Sequence, residues 1–269
     1  MSNIGWERER RVHFDEITAL YDKVRPEYSR DLYEDIFAYA KGGKTALEIG
    51  VGTGKATQPF LEAGYNVTAV EIGENMTEFV RKRYRASANF SAITAAFEDA
   101  TLPENHYDLI YAATAFHWVD AEVGGPKAFS LLKSGGTFAL FRYNFIPSDG
   151  DELYEDIQAV YKKYGHKPYK RPTKMSKVDF STEDGIYWGF RCKSLESYGF
   201  GDTAMRFYDF SRVFDADGYI ESLETNSDHR SLPDDRRAAL YAGVRDAILA
   251  HGGQIRLDYM FQLYMGRKV

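Results

Sequence analysis

An α/β fold with a doubly wound, mostly parallel sheet of about seven strands is predicted by three features of the chain. Short apolar runs alternate with helical stretches over the first 144 residues, a glycine-rich turn carries the first run straight into a helix, and two more sheet-like runs return near the end with helices between them. Strands covered by helices on both faces read as unbroken apolar segments, because neither side of the sheet meets water.

Residues 13 to 40 place apolar and charged positions at helical spacing, and Arg25-Pro26 divides them into two short helices, since proline ends one helix and starts the next. The first strand is Thr45 to Gly50, followed by the glycine turn and a helix from about Ala56. Asn66 to Ile72 is the second strand and Glu74 to Tyr84 the next helix. Ser91 to Phe97, Tyr107 to Ala113 and Gly136 to Tyr143 are three further strands, with a helix over Ala121 to Leu132 before the last.

The pattern changes after Tyr143. A helix at Asp151 to Tyr164 leads into Gly-, Pro- and Lys-rich sequence without a period (Gly165 to Lys177), so 145–203 reads as a helical insert of the kind that caps a site. Met205 to Phe214 and Gln254 to Gly266 complete the sheet around helices at Ala216 to Glu224 and Pro233 to His251, the second stopped by Gly252 and Gly253. The expected core is 1–144 with 204–269, and 145–203 is an insert or lid over the substrate site.

With 269 residues, 44% of them hydrophobic, the chain can bury a sizeable core. Its 20 Tyr, 18 Phe and 3 Trp suggest pockets walled by rings. A net charge of -6 argues against a grip on a phosphate backbone. The basic clusters Arg8 to Arg11 and Arg81 to Arg85 are interleaved with Glu or lie on a helix face. The single Cys192 allows no internal disulfide and has no metal-ligand spacing around it, which implies a reducing compartment and no metal. Met1 to Phe14 lacks the apolar stretch of a signal peptide, so a cytoplasmic, membrane-free monomer or homodimer is expected.

Chemistry concentrates in Glu48-Ile49-Gly50-Val51-Gly52-Thr53-Gly54. Glycines at every second position after a strand let the backbone turn tightly and approach a ligand that a β-carbon would push away. The dinucleotide fingerprint would need its third glycine at Lys55, and the phosphate-loop pattern fails because Ala56 follows Lys55. Val70-Glu71 ends the second strand, where a carboxylate can accept hydrogen bonds from both hydroxyls of a ribose.

The Glu-x-Gly-x-Gly-x-Gly segment resembles motif I of class I S-adenosylmethionine methyltransferases, a Rossmann-like family. Leu132-Lys133-Ser134-Gly135-Gly136 is similar to the turn that family has before its fifth strand. The resemblance implies that the amides around Gly50, Gly52 and Gly54 receive the amino-acid end of the cofactor, and that the last strand is antiparallel. It implies a cofactor set of Glu48, Gly50, Gly52, Thr53, Gly54, Glu71, Ile72, Met76, Phe97, Glu98, Ala113 and Phe116, with S-adenosylhomocysteine as product. Ala96 stands where many relatives carry Asp, which passes the adenine contact to Glu98 or Asp99.

Tyr21-Asp22-Lys23-Val24-Arg25-Pro26-Glu27-Tyr28, Ala115-Phe116-His117-Trp118-Val119-Asp120 and Thr225-Asn226-Ser227-Asp228-His229-Arg230 resemble the trans-aconitate and cantharidin methyltransferase-like branch. That branch implies transfer to O or N of a small molecule, such as a carboxylic acid. Ring faces at Tyr21, Phe116 and Trp118 would stabilise the sulfonium cation. His117 is either a general base or a structural hydrogen-bond partner. Arg25 meets an acceptor carboxylate, the cofactor's own carboxylate, or a helix-end ion pair. His229 and Arg230 either reach the acceptor or simply make the loop polar. Two other functions stay open: methylation of RNA or protein, which the acidic charge and the Ala113-Thr114-Ala115-Phe116 segment disfavour, and non-catalytic binding of the cofactor.

Overall fold

A computed structural model describes residues 18–148, 150–165 and 169–269. The Arg8 to Arg11 cluster and the expected helical onset at residue 13 lie outside the described residues. Two helices, α1 (Thr18–Val24) and α2 (Arg30–Tyr39), precede β1 (Thr45–Ile49). Then follow α3 (Thr57–Glu62), β2 (Asn66–Glu71), α4 (Glu74–Arg83), β3 (Phe90–Thr94), β4 (Tyr107–Ala113), α5 (Ala121–Leu131) and β5 (Leu132–Ile146). These form a sheet of seven strands ordered β3-β2-β1-β4-β5-β7-β6, where β6 is Phe200–Asp215 and β7 is Gln254–Lys268.

The β1 to β5 pairings are parallel, and β7 runs antiparallel to both β5 and β6, as expected of the last strand. Successive residues of a strand point to opposite faces, so β1 divides its side chains between two cores. Leu47 and Ile49 join Ile110, Phe138 and Leu131 on one face, and Ala46 joins Leu32, Ile36, Phe60 and Tyr111 on the other. The first face is covered by α5 and the second by α2 and α3.

Beyond the aperiodic stretch, the expected insert also holds two short helices to which the sequence pattern assigns no element, α7 (Lys177–Phe180) and α8 (Glu183–Phe190). Four and eight residues are too few to display a helical period, but each helix begins at a side-chain cap. Ser176 Oγ accepts the Asp179 amide at 3.1 Å while Asp179 accepts the Ser176 amide at 2.7 Å, and Thr182 Oγ1 accepts the Gly185 amide at 3.1 Å. Ile186, Phe190, Cys192 and Leu195 are buried in the main core, so part of the expected insert belongs to the body of the fold.

The last three strands of the sheet run 15 or 16 residues, against five to seven in β1 to β4. Their pairing continues past the parallel strands, with Tyr143 opposite Phe261 and Phe214 opposite Ile255. On this overhang sit α6 (Glu152–Tyr164), α9 (Ala216–Glu224), the single-turn α10 (Ser227–Arg230) and α11 (Asp234–Ala250). Leu153, Ile157, Leu223, Leu240, Val244 and Leu257 make a second apolar cluster there.

Candidate active site

The glycine turn has the conformation its sequence requires. Gly50, Gly52 and Gly54 take φ of 68°, 54° and 82°, a left-handed backbone that costs other residues energy. A β-carbon on Gly50 would lie 2.6 Å from Ala115 Cβ, and one on Gly54 would lie 2.7 Å from the Tyr84 ring. The turn therefore packs against the segment after β4 as closely as backbone allows.

Its amides depart from the expectation. Gly50 N–H donates to Val70 O at 2.8 Å, Gly54 N–H to Val51 O at 2.9 Å and Gly52 N–H to Glu71 Oε2 at 2.8 Å. All three already have protein acceptors, because a buried amide left unpaired is costly. What the glycines contribute to the cavity is close approach, with Gly50 and Gly52 bare in its wall. Glu71, at the end of β2, also accepts the Gly73 amide at 3.0 Å through Oε1.

These residues line a cavity of about 380 Å³ at the carboxyl ends of β1, β2 and β4, where parallel sheets bind ligands. Of the predicted cofactor set, Gly50, Gly52, Glu71, Ile72, Met76, Phe97 and Glu98 line it, together with Tyr21, Arg25, His117 and Trp118. Glu98 Oε1 accepts the Asp120 amide at 2.9 Å, so this side chain also fixes the start of α5.

Five of the predicted residues sit elsewhere, Gly54 among them, packed against Tyr84 and Val80. Glu48 points to the α2–α3 face, where its carboxylate accepts Thr57 Oγ1 at 2.7 Å and Tyr111 Oη at 2.8 Å. Burial raises its pKa from 4.5 to about 7, which the two hydroxyl donors only partly offset. Thr53 and Ala113 border a small neighbouring void of about 60 Å³ with Glu48. Phe116 is core, edge-on to Phe138 at 5.3 Å and buried against α5.

Cations crowd one wall of the main cavity. Arg25 donates to Tyr143 Oη and the Thr225 carbonyl, and to Asn226 Oδ1 at 3.1 Å, with its guanidinium 4.9 Å from the Tyr21 ring centre. Arg142 donates to the Gly189 carbonyl and lies 5.5 Å from the Trp188 ring. The Nε of each is buried with no hydrogen-bond partner. Burial, with Arg142, Arg191 and Arg25 nearby, lowers the His117 pKa from 6.5 to about 3 and keeps the ring neutral. A base that weak suits a hydrogen-bonding role better than proton removal at neutral pH.

Sequence reading missed Arg142 and Thr114. Arg142 is the lone charge ending the apolar run Phe138 to Phe141, a placement that marks the ligand side of a parallel sheet. Thr114 has φ of 51°, strained for a β-branched residue. Its amide donates to Phe141 O at 2.7 Å and its hydroxyl meets Tyr28 Oη at 2.7 Å, pins that turn Ala115 to Trp118 over the cavity.

A second cavity of about 480 Å³ opens beside the first, on the strand overhang. Tyr154, Tyr161, Tyr169, Phe145, Phe214, Tyr219 and Tyr259 wall it, and Arg25, Tyr143, Asn226 and Asp228 border both cavities. His229 lines the second cavity, whereas Arg230 pairs with Glu224 at 3.6 Å. Among the described residues no cluster of three or more His, Cys, Asp or Glu could hold a metal, and no helix is long and apolar enough to cross a membrane.

Residues 47–140, the stretch that builds the first cavity from β1 to β5, match the family model for a methyltransferase domain. Over that stretch the chain is similar to a methyltransferase domain. Within it lie the glycine turn, Glu71 and the His117-Trp118 segment. The protein named probable S-adenosylmethionine-dependent methyltransferase CRG1 of Saccharomyces cerevisiae is 30% identical over 199 residues, 71% of this chain and 66% of that one. An uncharacterized methyltransferase of Mycobacterium tuberculosis is 29% identical over 49% of this chain, so the chain spans between about half and two thirds of these relatives, 53% and 66%.

The fold around that stretch is shared with solved structures. A protein described as a putative type II methyltransferase from Anaeromyxobacter dehalogenans superposes with a TM-score of 0.61 at 21% identity, covering 91% of this chain and 98% of that one.

Proposed function

We propose that the protein transfers the methyl group of S-adenosylmethionine to an oxygen or nitrogen of a small molecule seated in the aromatic cavity. The observation that carries this reading is the shared border: Arg25, Tyr143, Asn226 and Asp228 face both chambers, so a ligand in each would meet there. A cavity of about 480 Å³ walled by rings suits a compact apolar body with one or two polar groups.

The residues of the smaller cavity fit an adenosyl sulfonium with an amino-acid end. Glu71, at the end of β2 in the cavity wall, offers carboxylate oxygens to ribose hydroxyls. Ile72, Met76 and Phe97 give an adenine ring apolar faces. The unpartnered Nε atoms of Arg25 and Arg142 supply donors for a carboxylate. Bound S-adenosylmethionine supplies an electrophilic methyl on a good leaving group. The protein's own work is then to align the acceptor, exclude water and, where the acceptor carries a proton, remove it.

The test is calorimetry with S-adenosylhomocysteine followed by turnover against phenols, amines and carboxylic acids. Uptake of the nucleoside and methylation of at least one class is expected. Uptake without turnover across the panel leaves a cofactor-binding module, and no uptake removes the proposal altogether.

A further inference from the structure

Three side chains on the wall of the aromatic cavity form a continuous hydrogen-bonded line. Asp228 Oδ1 lies 2.9 Å from His229 Nδ1, and His229 Nε2 lies 2.8 Å from Tyr161 Oη. The Asp228 carboxylate can only accept, so His229 Nδ1 carries the proton and donates to it. Nε2 is then the acceptor for the Tyr161 hydroxyl. The same Asp228 oxygen accepts the His229 amide at 2.9 Å, which fixes the carboxylate against the turn of α10.

The line runs from the cavity to water. Tyr161 and His229 border the cavity, the His229 side chain is 7% exposed, and that of Asp228 is 67% exposed. Tyr219 of α9 and Tyr241 of α11 face the pair, Tyr241 with its ring 6.1 Å from the imidazole. Glu224 pairs with Arg230 at 3.6 Å and with Arg237 at 3.8 Å. The arrangement orients an imidazole by a carboxylate and points its free nitrogen at a hydroxyl, which is the organisation of a general base acting through an intermediate hydroxyl.

Resting on the methyl-transfer reading above, we propose that Tyr161, His229 and Asp228 form the proton-accepting relay of the acceptor site, and that the acceptor is an ionisable hydroxyl of the phenol or enol type on an apolar body. The acceptor O–H donates to Tyr161 Oη while the Tyr161 proton passes to His229 Nε2. The acceptor oxygen forms its bond to the methyl carbon as the carbon–sulfur bond breaks, and the electron pair stays on sulfur. The imidazolium formed is held by Asp228 through its Nδ1 proton and, once the methylated product leaves, returns the Nε2 proton through Tyr161 to water entering the cavity, which restores the starting tautomer. His117, beside three guanidinium groups, is left with a positioning role. Burial and the neighbouring Tyr219 and Asp228 push the Tyr161 pKa well above its usual value, so it relays a proton as a neutral phenol and does not store charge.

The experiment has three readouts on the full chain. Nitrogen-15 NMR of the histidines, with a His229→Gln variant to assign the signal, should find the neutral ring of His229 protonated on Nδ1; a proton on Nε2 overturns the relay. Calorimetry must show uptake of S-adenosylhomocysteine in wild type, Tyr161→Phe and His229→Gln alike, and failure of the wild type sinks the methyl-transfer reading instead. Initial rates are then compared for phenols led by 2-naphthol and for 2-naphthoic acid, whose carboxylate has no proton to lose.

Loss of about 10²–10⁴ in kcat on the phenol in both variants is expected, with KM nearly unchanged and carboxylate methylation altered less than about threefold. Equal losses on both probes overturn the relay and leave the residues structural. Cofactor uptake with no phenol turned over by wild type overturns the acceptor class.

Discussion

Glu71 Oε2 accepts the Gly52 amide at 2.8 Å, so the carboxylate at the end of β2 braces the glycine turn at the end of β1. With the Gly73 amide on its other oxygen at 3.0 Å, one side chain ties both strand ends to a single geometry. Glu71→Ala should therefore weaken S-adenosylhomocysteine binding about tenfold or more in calorimetry. A hydrogen bond to a charged group is worth ~1.5–3 kcal/mol, and a factor of ten in affinity is ~1.4 kcal/mol. Unchanged affinity would detach Glu71 from the cofactor.

Gly50 and Gly64 separate backbone strain from close packing. Both have positive φ, 68° and 83°, but a β-carbon on Gly64 meets nothing within 4 Å while one on Gly50 strikes Ala115 at 2.6 Å. Gly64→Ala should cost ~1–2 kcal/mol in urea unfolding, the left-handed penalty alone. Gly50→Ala should cost ~1–3 kcal/mol beyond that and abolish nucleoside binding, because the segment from Ala115 to Trp118 must move away.

Two buried groups should give the protein opposite responses to acid. The Glu48 pKa rises from 4.5 to about 7, so its neutral form is the one the fold favours. Its contribution is fully present below pH 4.5 and is lost as pH rises through about 7, on the order of 3 kcal/mol. The His117 pKa falls from 6.5 to about 3, so its contribution is present above 6.5 and is lost as pH drops toward 3. Urea unfolding at several pH values should show that Glu48→Gln removes the first slope and His117→Asn the second; identical slopes in the variants would refute both assignments.

Filling the aromatic cavity should uncouple the two chambers. Leu257→Trp projects into it from β7 and touches none of the residues around the glycine turn. Nucleoside affinity should stay within about threefold while turnover of any accepted substrate falls at least tenfold, at a stability cost of ~1–3 kcal/mol. A parallel loss of nucleoside affinity would place the acceptor elsewhere.

The parallel strands were legible because buried strands are apolar without interruption and the glycines between β1 and α3 allow few other conformations, whereas the reversed direction of the last strand followed only from the family resemblance. Glu71 could be picked out for the same reason: a charge ending an apolar run has to meet something. Glu48 obeyed that logic only in part, since alternation sent it to the α2–α3 face, and no local pattern shows on which face a hydroxyl partner waits. The use made of the Gly50, Gly52 and Gly54 amides was hidden because their acceptors, Val70, Val51 and Glu71, are fixed by tertiary geometry. Composition suggested ring-walled pockets, but the place of the aromatic cavity was hidden for a related reason. It depends on how far β5, β6 and β7 overrun their neighbours, and pairing length is not written in any one strand.

That overrun has a mechanical consequence. The strands beneath the aromatic chamber are uninterrupted continuations of those that close the main sheet, so the two compartments share one ladder of backbone hydrogen bonds and are expected to unfold together. Substitutions at residues that line this chamber and not the other, such as Tyr154, Tyr219 and Leu240, can reshape what it admits without disturbing the turn at Gly50. Selectivity can be retuned there while the donor compartment is left intact.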